Sequence, residues 1–175
     1  MSSRRIEHSE RFLNYHIENV ITGMWALERP HGHYRWVYPP SFLKRLGALI
    51  DFDGKEILHL FCGSSDFGTV RVDINPEVKP DLVLDIVKNK LPFPDKKFDV
   101  VIADPPYVDF KPYCFVEEAV RVLKPKGFLI ILHWLLYNNP DNCKRWACIA
   151  ISPGPNRRMR CCNVFRKQVM DDEKS

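Results

Sequence analysis

The chain reads as a single α/β domain on a doubly wound, mostly parallel sheet of about seven strands, closed by an antiparallel C-terminal hairpin. Three observations predict this. Short apolar runs recur from residue 56 onward, several apolar on both faces, as strands of a helix-covered parallel sheet must be. The segment FVEEAVRVLKPKG supplies a crossover helix between two runs. The last two runs are joined by SPGPNRRMR, a turn-rich connection suited to an antiparallel hairpin.

Leu13, Ile17, Val20, Ile21 and Met24 follow the three-and-four spacing of one helix face, with Ser9 as N-cap and the helix ending before Pro30. A polar and aromatic stretch, ERPHGHYRWVYPP, follows. SFLKRLGALI then begins with a capping serine, Ser41, and sets Phe42, Leu43, Leu46 and Leu49 at helical spacing. The strand runs are EILHLF (56–61), VRVDI (70–74), LVLDI (82–86), DVVIAD (99–104), GFLIILHWL (127–135), WACIAIS (146–152) and CNVFRKQ (162–168). The crossover helix is closed by Gly127.

At 175 residues and 45% hydrophobic content the chain suits one domain over 1–175, with 1–50 a helical and loop extension. A net charge of +4 tolerates a polyanionic partner without demanding one. The longest apolar run, GFLIILHWLLY, is too short to span a bilayer, and MSSRRIEHSE lacks the apolar core of a signal peptide. A cytoplasmic protein with no membrane partner is expected. The six cysteines show no CxxC pair and are expected to be free, mostly buried thiols, with Cys161 and Cys162 pointing to opposite faces of a strand. A zinc site from Cys143, Cys148 and a histidine is the alternative; no metal is expected.

Four of the first strands finish alike. HLFCGSS, VDIN, LDI and IADPPY each put a turn-forming or acidic group at the carboxyl end, the edge of an open parallel sheet where ligands sit. Taken singly, Asp73, Asp85 and Asp104 also suit a turn former or helix cap. Three in register point to a ligand.

From about residue 33 to 168 the sequence resembles the class I S-adenosylmethionine-dependent methyltransferases, which implies a Rossmann-like sheet and that cofactor. Phe61, Cys62, Gly63 and Ser64 stand where the family's glycine-rich first loop meets the methionine part of the cofactor. Asp73, followed by Ile74, stands where the family holds the ribose hydroxyls, and Asp85, followed by Ile86, where a carboxylate approaches the adenine amino group. Asp104-Pro105-Pro106-Tyr107 matches the (D/N)PP(Y/F) motif of the family's amino-methyltransferases, where the aspartate lies beside both cofactor and target. The first loop departs from GxGxG, having only Gly63 and then Gly68. With ten positions between Gly63 and Asp73, the first crossover helix is shortened or absent, replaced by the loop SSDFGT. HYRWVYPPSFLKRL resembles, more loosely, a segment packing along the cofactor; a proline-bounded approach to a capped helix is the other reading.

An exocyclic amino group on a base is conjugated with its ring, so its lone pair is poorly available to attack a sulfonium methyl. The resemblance implies that the Asp104 carboxylate and the Pro105 carbonyl accept the amino hydrogens and so aim that lone pair. The paired prolines stiffen the loop carrying the carbonyl. Tyr107 offers a stacking face, worth about 1–3 kcal/mol per base. No strong general base is required.

Arg35 and Trp36 before the sheet, with Arg157, Arg158 and Arg160 in the last hairpin, are the remaining candidates for substrate contact. A solvated hairpin face is the other reading for the arginines. The sequence thus points to methyl transfer onto an amino group of a nucleic-acid base, DNA adenine or cytosine ahead of RNA. The alternatives are a protein side-chain amide such as glutamine, and a catalytically silent cofactor-binding or scaffold subunit. With no room for a target-recognition domain, selectivity falls to loops, a second subunit or a partner.

Overall fold

The structure is a computed structural model that describes residues 19–27, 38, 41–107, 113–152 and 158–169. Among these residues eight strands form one sheet: β1 (Ile21–Ala26), β2 (Ile57–Leu60), β3 (Val70–Asp73), β4 (Leu82–Val83), β5 (Phe98–Ala103), β6 (Leu123–His133), β7 (Cys143–Ser152) and β8 (Arg160–Lys167). Their order is β1-β7-β8-β6-β5-β2-β3-β4. β8 runs antiparallel to β6 and β7, and every other pairing is parallel.

β5 shows why the sheet is covered on both sides. Val101 and Ala103 pack on one face with Leu58, Leu129 and the Ala119 and Val122 side chains of helix α2 (Val116–Val122). Val100 and Ile102 pack on the other with Ile130, Ile149 and the Phe42 and Leu46 side chains of helix α1 (Phe42–Leu49). Alternation along a strand sends neighbouring residues to opposite faces, so an unbroken apolar run requires two cores.

Three expectations are corrected. Val20, Ile21 and Met24 belong to no helix, since Ile21–Ala26 is the edge strand β1, paired in parallel with β7. VITGMWA is rich in β-branched and aromatic side chains, and an open edge of β7 receives it; Ser9, Leu13 and Ile17 lie outside the described residues. Ser41 makes no side-chain cap on α1 and has φ 67°, its carbonyl accepting from the Arg45 N–H at 2.9 Å. Finally, α2 stops at Val122 rather than at Gly127. Pro125 excludes a continued helix and biases Lys124 to extended backbone. The Lys167 ammonium donates at 2.7 Å to the Val120 and Leu123 carbonyls left open at that helix end. Gly127 instead lies within β6, where a Cβ would come within 2.8 Å of the Asp99 carbonyl oxygen.

The remaining runs become strands with shifted ends; the run expected over 82–86 pairs only through Leu82–Val83. No helix occupies residues 61–69, so the first crossover is a loop. β2 lies between β3 and β5. The chain therefore leaves β2 in one direction through β3 and β4, then returns to its other side at β5. The carboxyl ends of β2 and β5 flank this switch point, where an open α/β sheet binds ligands. None of the helices among the described residues is long and apolar enough to cross a membrane.

Candidate active site

The loop after β2 turns sharply, with Phe61 at φ 54° and Gly63 at φ 53°. That left-handed backbone suits glycine at 63 and brings its N–H to the Asp73 carboxylate at 2.8 Å. The other Asp73 oxygen accepts from the Asn75 N–H at 2.9 Å. The last residue of β3 thus pins the first loop. Each carboxylate oxygen retains a further acceptor position, so a diol can still bridge both.

Beside this loop lies a cavity of about 280 Å³. Its walls include Phe61, Val72, Leu84, Ile86 and Pro106, and Asp73 and Asp85 are the charged residues that line it. Of the residues expected to hold cofactor, Phe61, Asp73, Ile74, Asp85 and Ile86 line it; Gly63 reaches it through Asp73, while Cys62, Ser64 and Asp104 stand outside the lining. An apolar slot with two carboxylates suits a purine nucleoside: the ring takes the apolar walls, and the acids accept from hydroxyls or an amino group. Asp85 lies beyond β4, with Lys88 at 3.1 Å holding its carboxyl below the usual range, and it also accepts the Val87 N–H at 3.1 Å. Cys62 is buried, which pushes its thiol up to about 11. At neutral pH it is a packing group.

Asp104 follows β5 directly. The Tyr107 hydroxyl donates to Asp104 Oδ1 at 2.6 Å, and Arg160 Nη1 lies 3.6 Å from Oδ2. Burial raises the Asp104 pKa, while Arg160 and the Tyr107 hydrogen bond oppose the rise. The Arg160 guanidinium also sits over the Tyr107 ring, 5.3 Å from its centroid. Burial and the adjacent carboxylate hold the Tyr107 hydroxyl protonated, as a donor. The structure therefore joins Asp104, Tyr107 and Arg160 in one cluster. Arg158 lies 4.7 Å over the ring of Trp134. Arg35, Trp36 and Arg157 lie outside the described residues.

Several side chains at this edge escaped sequence reasoning. The Tyr107 ring lies 5.0 Å from His133 and 5.8 Å from Trp134. His133 Nδ1 accepts the Leu135 N–H at 3.2 Å, so its other nitrogen donates to the Pro106 carbonyl. Asn163, fully buried, accepts the Tyr137 N–H at 3.0 Å and donates to the Leu135 carbonyl at 3.0 Å, fastening this loop to β8. On the opposite face His59 bridges the first loop and Tyr38, with Nδ1 2.9 Å from the Phe67 carbonyl and Nε2 2.9 Å from the Tyr38 hydroxyl. The signal for His133 and Trp134 was present: GFLIILHW ends beside IADPPY once Ala103 pairs with Ile131.

An acid closing β3 under a bent first loop, a second acid beyond β4, and one antiparallel strand late in a doubly wound sheet are features that the fold brings to one edge. At the family level, residues 68–131, from the end of the first loop through most of β6, match the model of a methyltransferase domain. Among solved structures, the PH0226 protein from Pyrococcus horikoshii OT3 is similar at 19% identity, covering 72% of this chain and 88% of its own, with a TM-score of 0.53. An S-adenosylmethionine-dependent methyltransferase from Aquifex aeolicus is also 19% identical, over 74% of this chain and 94% of its own, with a TM-score of 0.50. The [4+2]-cyclase SpnF is 15% identical, over 82% of this chain and 86% of its own, with a TM-score of 0.57. These likenesses concern fold alone, and the cyclase illustrates that fold does not fix chemistry. No curated protein matches the chain.

Proposed function

We propose that this protein transfers the methyl group of S-adenosylmethionine to an exocyclic amino group of a nucleic-acid base, DNA adenine or cytosine ahead of RNA. The observation that carries the reading is the placement of Asp104: a half-buried carboxyl directly after the central strand, with the Tyr107 hydroxyl at 2.6 Å and Arg160 Nη1 at 3.6 Å. An ionised carboxylate accepts hydrogen bonds, which a conjugated amino nitrogen needs to free its lone pair.

The cofactor supplies a methyl group on a positively charged sulfur. Asp73 and Asp85 would hold its hydroxyl and amino groups, and Phe61, Leu84 and Ile86 its flat ring. Asp104 and the Pro105 carbonyl take the amino hydrogens, and Pro106, part of the cavity wall, keeps the two sites adjacent. Tyr107, Trp134 and His133 form an aromatic wall against which a base can stack. Arg158 and Arg160 put two cations beside that wall, suited to phosphates. Arg160 Nη1 is buried and makes no hydrogen bond among the described residues, so an acceptor on the substrate would complete it. In a duplex the base must be flipped out. Loops, a second subunit or a partner would supply any sequence selectivity.

The test follows methyl groups from labelled S-adenosylmethionine into DNA, RNA and cell protein, with nucleoside analysis of the product. Label is expected in a base amino group. Asp104→Ala lowers the rate by on the order of 10²-fold while retaining cofactor binding. Asp73→Asn weakens cofactor binding by about tenfold, read by calorimetry. Label confined to protein would replace this reading with a side-chain amide substrate. No cofactor binding at all would leave a silent scaffold.

A further inference from the structure

The six cysteines form no disulfide. Two of them, Cys148 on β7 and Cys161 on β8, bring their sulfur atoms to 3.3 Å. The register explains the contact: Cys148 stands opposite Asn163 and Ala150 opposite Cys161, so the two cysteines are diagonal neighbours on one face of an antiparallel pair. Cys162, the next residue, packs on the other face with Ile149 and Val164. Cys148 and Cys161 are half-buried, whereas Cys62, Cys143 and Cys162 are buried. The contacting pair is therefore open to small solutes.

Its electrostatic setting favours reaction. The hydrogen bond shared with Cys161 holds the Cys148 thiol below its ordinary range against burial, with help from the Arg145 guanidinium, and Cys161 is raised in turn. The shared hydrogen bond thus favours ionisation of one sulfur with the other as its proton donor. A thiolate beside a cation is the reactive form of cysteine.

We propose that Cys148 and Cys161 are a peroxide-oxidisable dithiol that closes into a reversible cross-strand disulfide. The Cys148 thiolate attacks a peroxide oxygen, the O–O bond breaks, and Cys148 becomes a sulfenic acid. The Cys161 sulfur then attacks the Cys148 sulfur, forming S–S and breaking S–O. The departing hydroxide takes the Cys161 proton and leaves as water. The hydroxide released from the peroxide takes the proton that Cys148 gave up on ionising, so in sum two thiols lose two protons and two electrons, and hydrogen peroxide becomes two waters. A thiol reductant reverses the bond by exchange. The sulfurs need approach by only about 1 Å to reach bonding distance.

The position gives the bond a consequence. Cys161 follows Arg160, the residue facing Asp104, and pairs across β6 with His133, which holds the Pro106 carbonyl. Closure would tie β7 to β8 one residue from the Asp104 cluster. The inference rests on the thiol geometry and stands apart from the substrate reading.

The experiment treats reduced native protein with hydrogen peroxide, alkylates it under denaturing conditions, and reads intact mass and peptide maps. Two of the six thiols are expected to escape alkylation, so that four alkyl groups are added to a chain two hydrogen atoms lighter, with a link joining Cys148 to Cys161. Dithiothreitol restores all six. In Cys161→Ser, Cys148 is expected to stop at a sulfenic acid that a cyclic dione captures. Six alkylatable thiols after peroxide, a link between other cysteines, or oxygen uptake at Cys148 without a link would each overturn the proposal. The native-protein map decides the matter even if a serine variant fails to fold.

Discussion

Arg160 has two tasks that pull on one guanidinium. It lies 3.6 Å from the Asp104 carboxylate and packs over Tyr107, so it both opposes protonation of a half-buried acid and fixes the ring beside it. Removing the charge leaves only the Tyr107 hydrogen bond to oppose desolvation at Asp104, which then protonates at higher pH and turns from acceptor to donor. Arg160→Ala is accordingly expected to lower kcat/KM by about ten- to a hundredfold, the worth of a charged hydrogen-bond partner. It should also move the acid limb of the pH–rate profile upward, with Arg160→Lys restoring part of that displacement. An unmoved acid limb would show that Arg160 acts on the substrate alone. Asp104 and Tyr107 were legible from the local motif; their control by a residue 56 positions later was not, because it depends on β8 being inserted between β6 and β7.

At the scale of elements, Gly127 shows how a correct residue can be given the wrong reason. A glycine after a helical run suits a C-terminal cap, yet the helix ends earlier at a proline-bounded step. Gly127 is required by a neighbouring strand: a Cβ there would meet the Asp99 carbonyl at 2.8 Å and the Lys124 carbonyl at 2.9 Å. Neither contact is a flexible side chain. Gly127→Ala is expected to destabilise the fold by about 1–3 kcal/mol, as overpacking does, with a lower midpoint in denaturant unfolding. A midpoint within error of the parent would mean that β6 can shift without penalty. The same scale explains β1, whose apolar spacing suits a helix but whose β-branched and aromatic content fits the open edge of β7.

For the whole molecule, His59 couples folding to pH. Burial pulls its imidazole down to about 4 from the ordinary value near 6.5, so between those values the unfolded chain holds a proton that the folded one lacks. Stability is then fully present above about pH 6.5 and falls as pH drops toward 4, by on the order of 3 kcal/mol from this residue. His133, lowered by burial too, acts in the same sense, while Asp104, raised by burial, opposes it in acid. Unfolding free energies measured from pH 7 to 4.5 should show the decline, and His59→Gln should flatten it. A native profile flat across that window would mean that the fold accepts a charged His59.

By itself the sequence determined the parts whose signals are local. Apolar runs of strand length, the acids and turn formers after them, and their order from FCGSS through VDIN and LDI to DPPY lie within a few residues of one another. Periodicity and turn chemistry act over that range, so the mostly parallel sheet and the missing first crossover helix were readable. Only the tertiary structure decided which distant side chains meet: Arg160 with Asp104, His133 and Trp134 with Tyr107, Tyr38 with His59, Cys148 with Cys161. Those contacts follow from strand order and register, which arise from burying two core faces at once and which no single segment encodes.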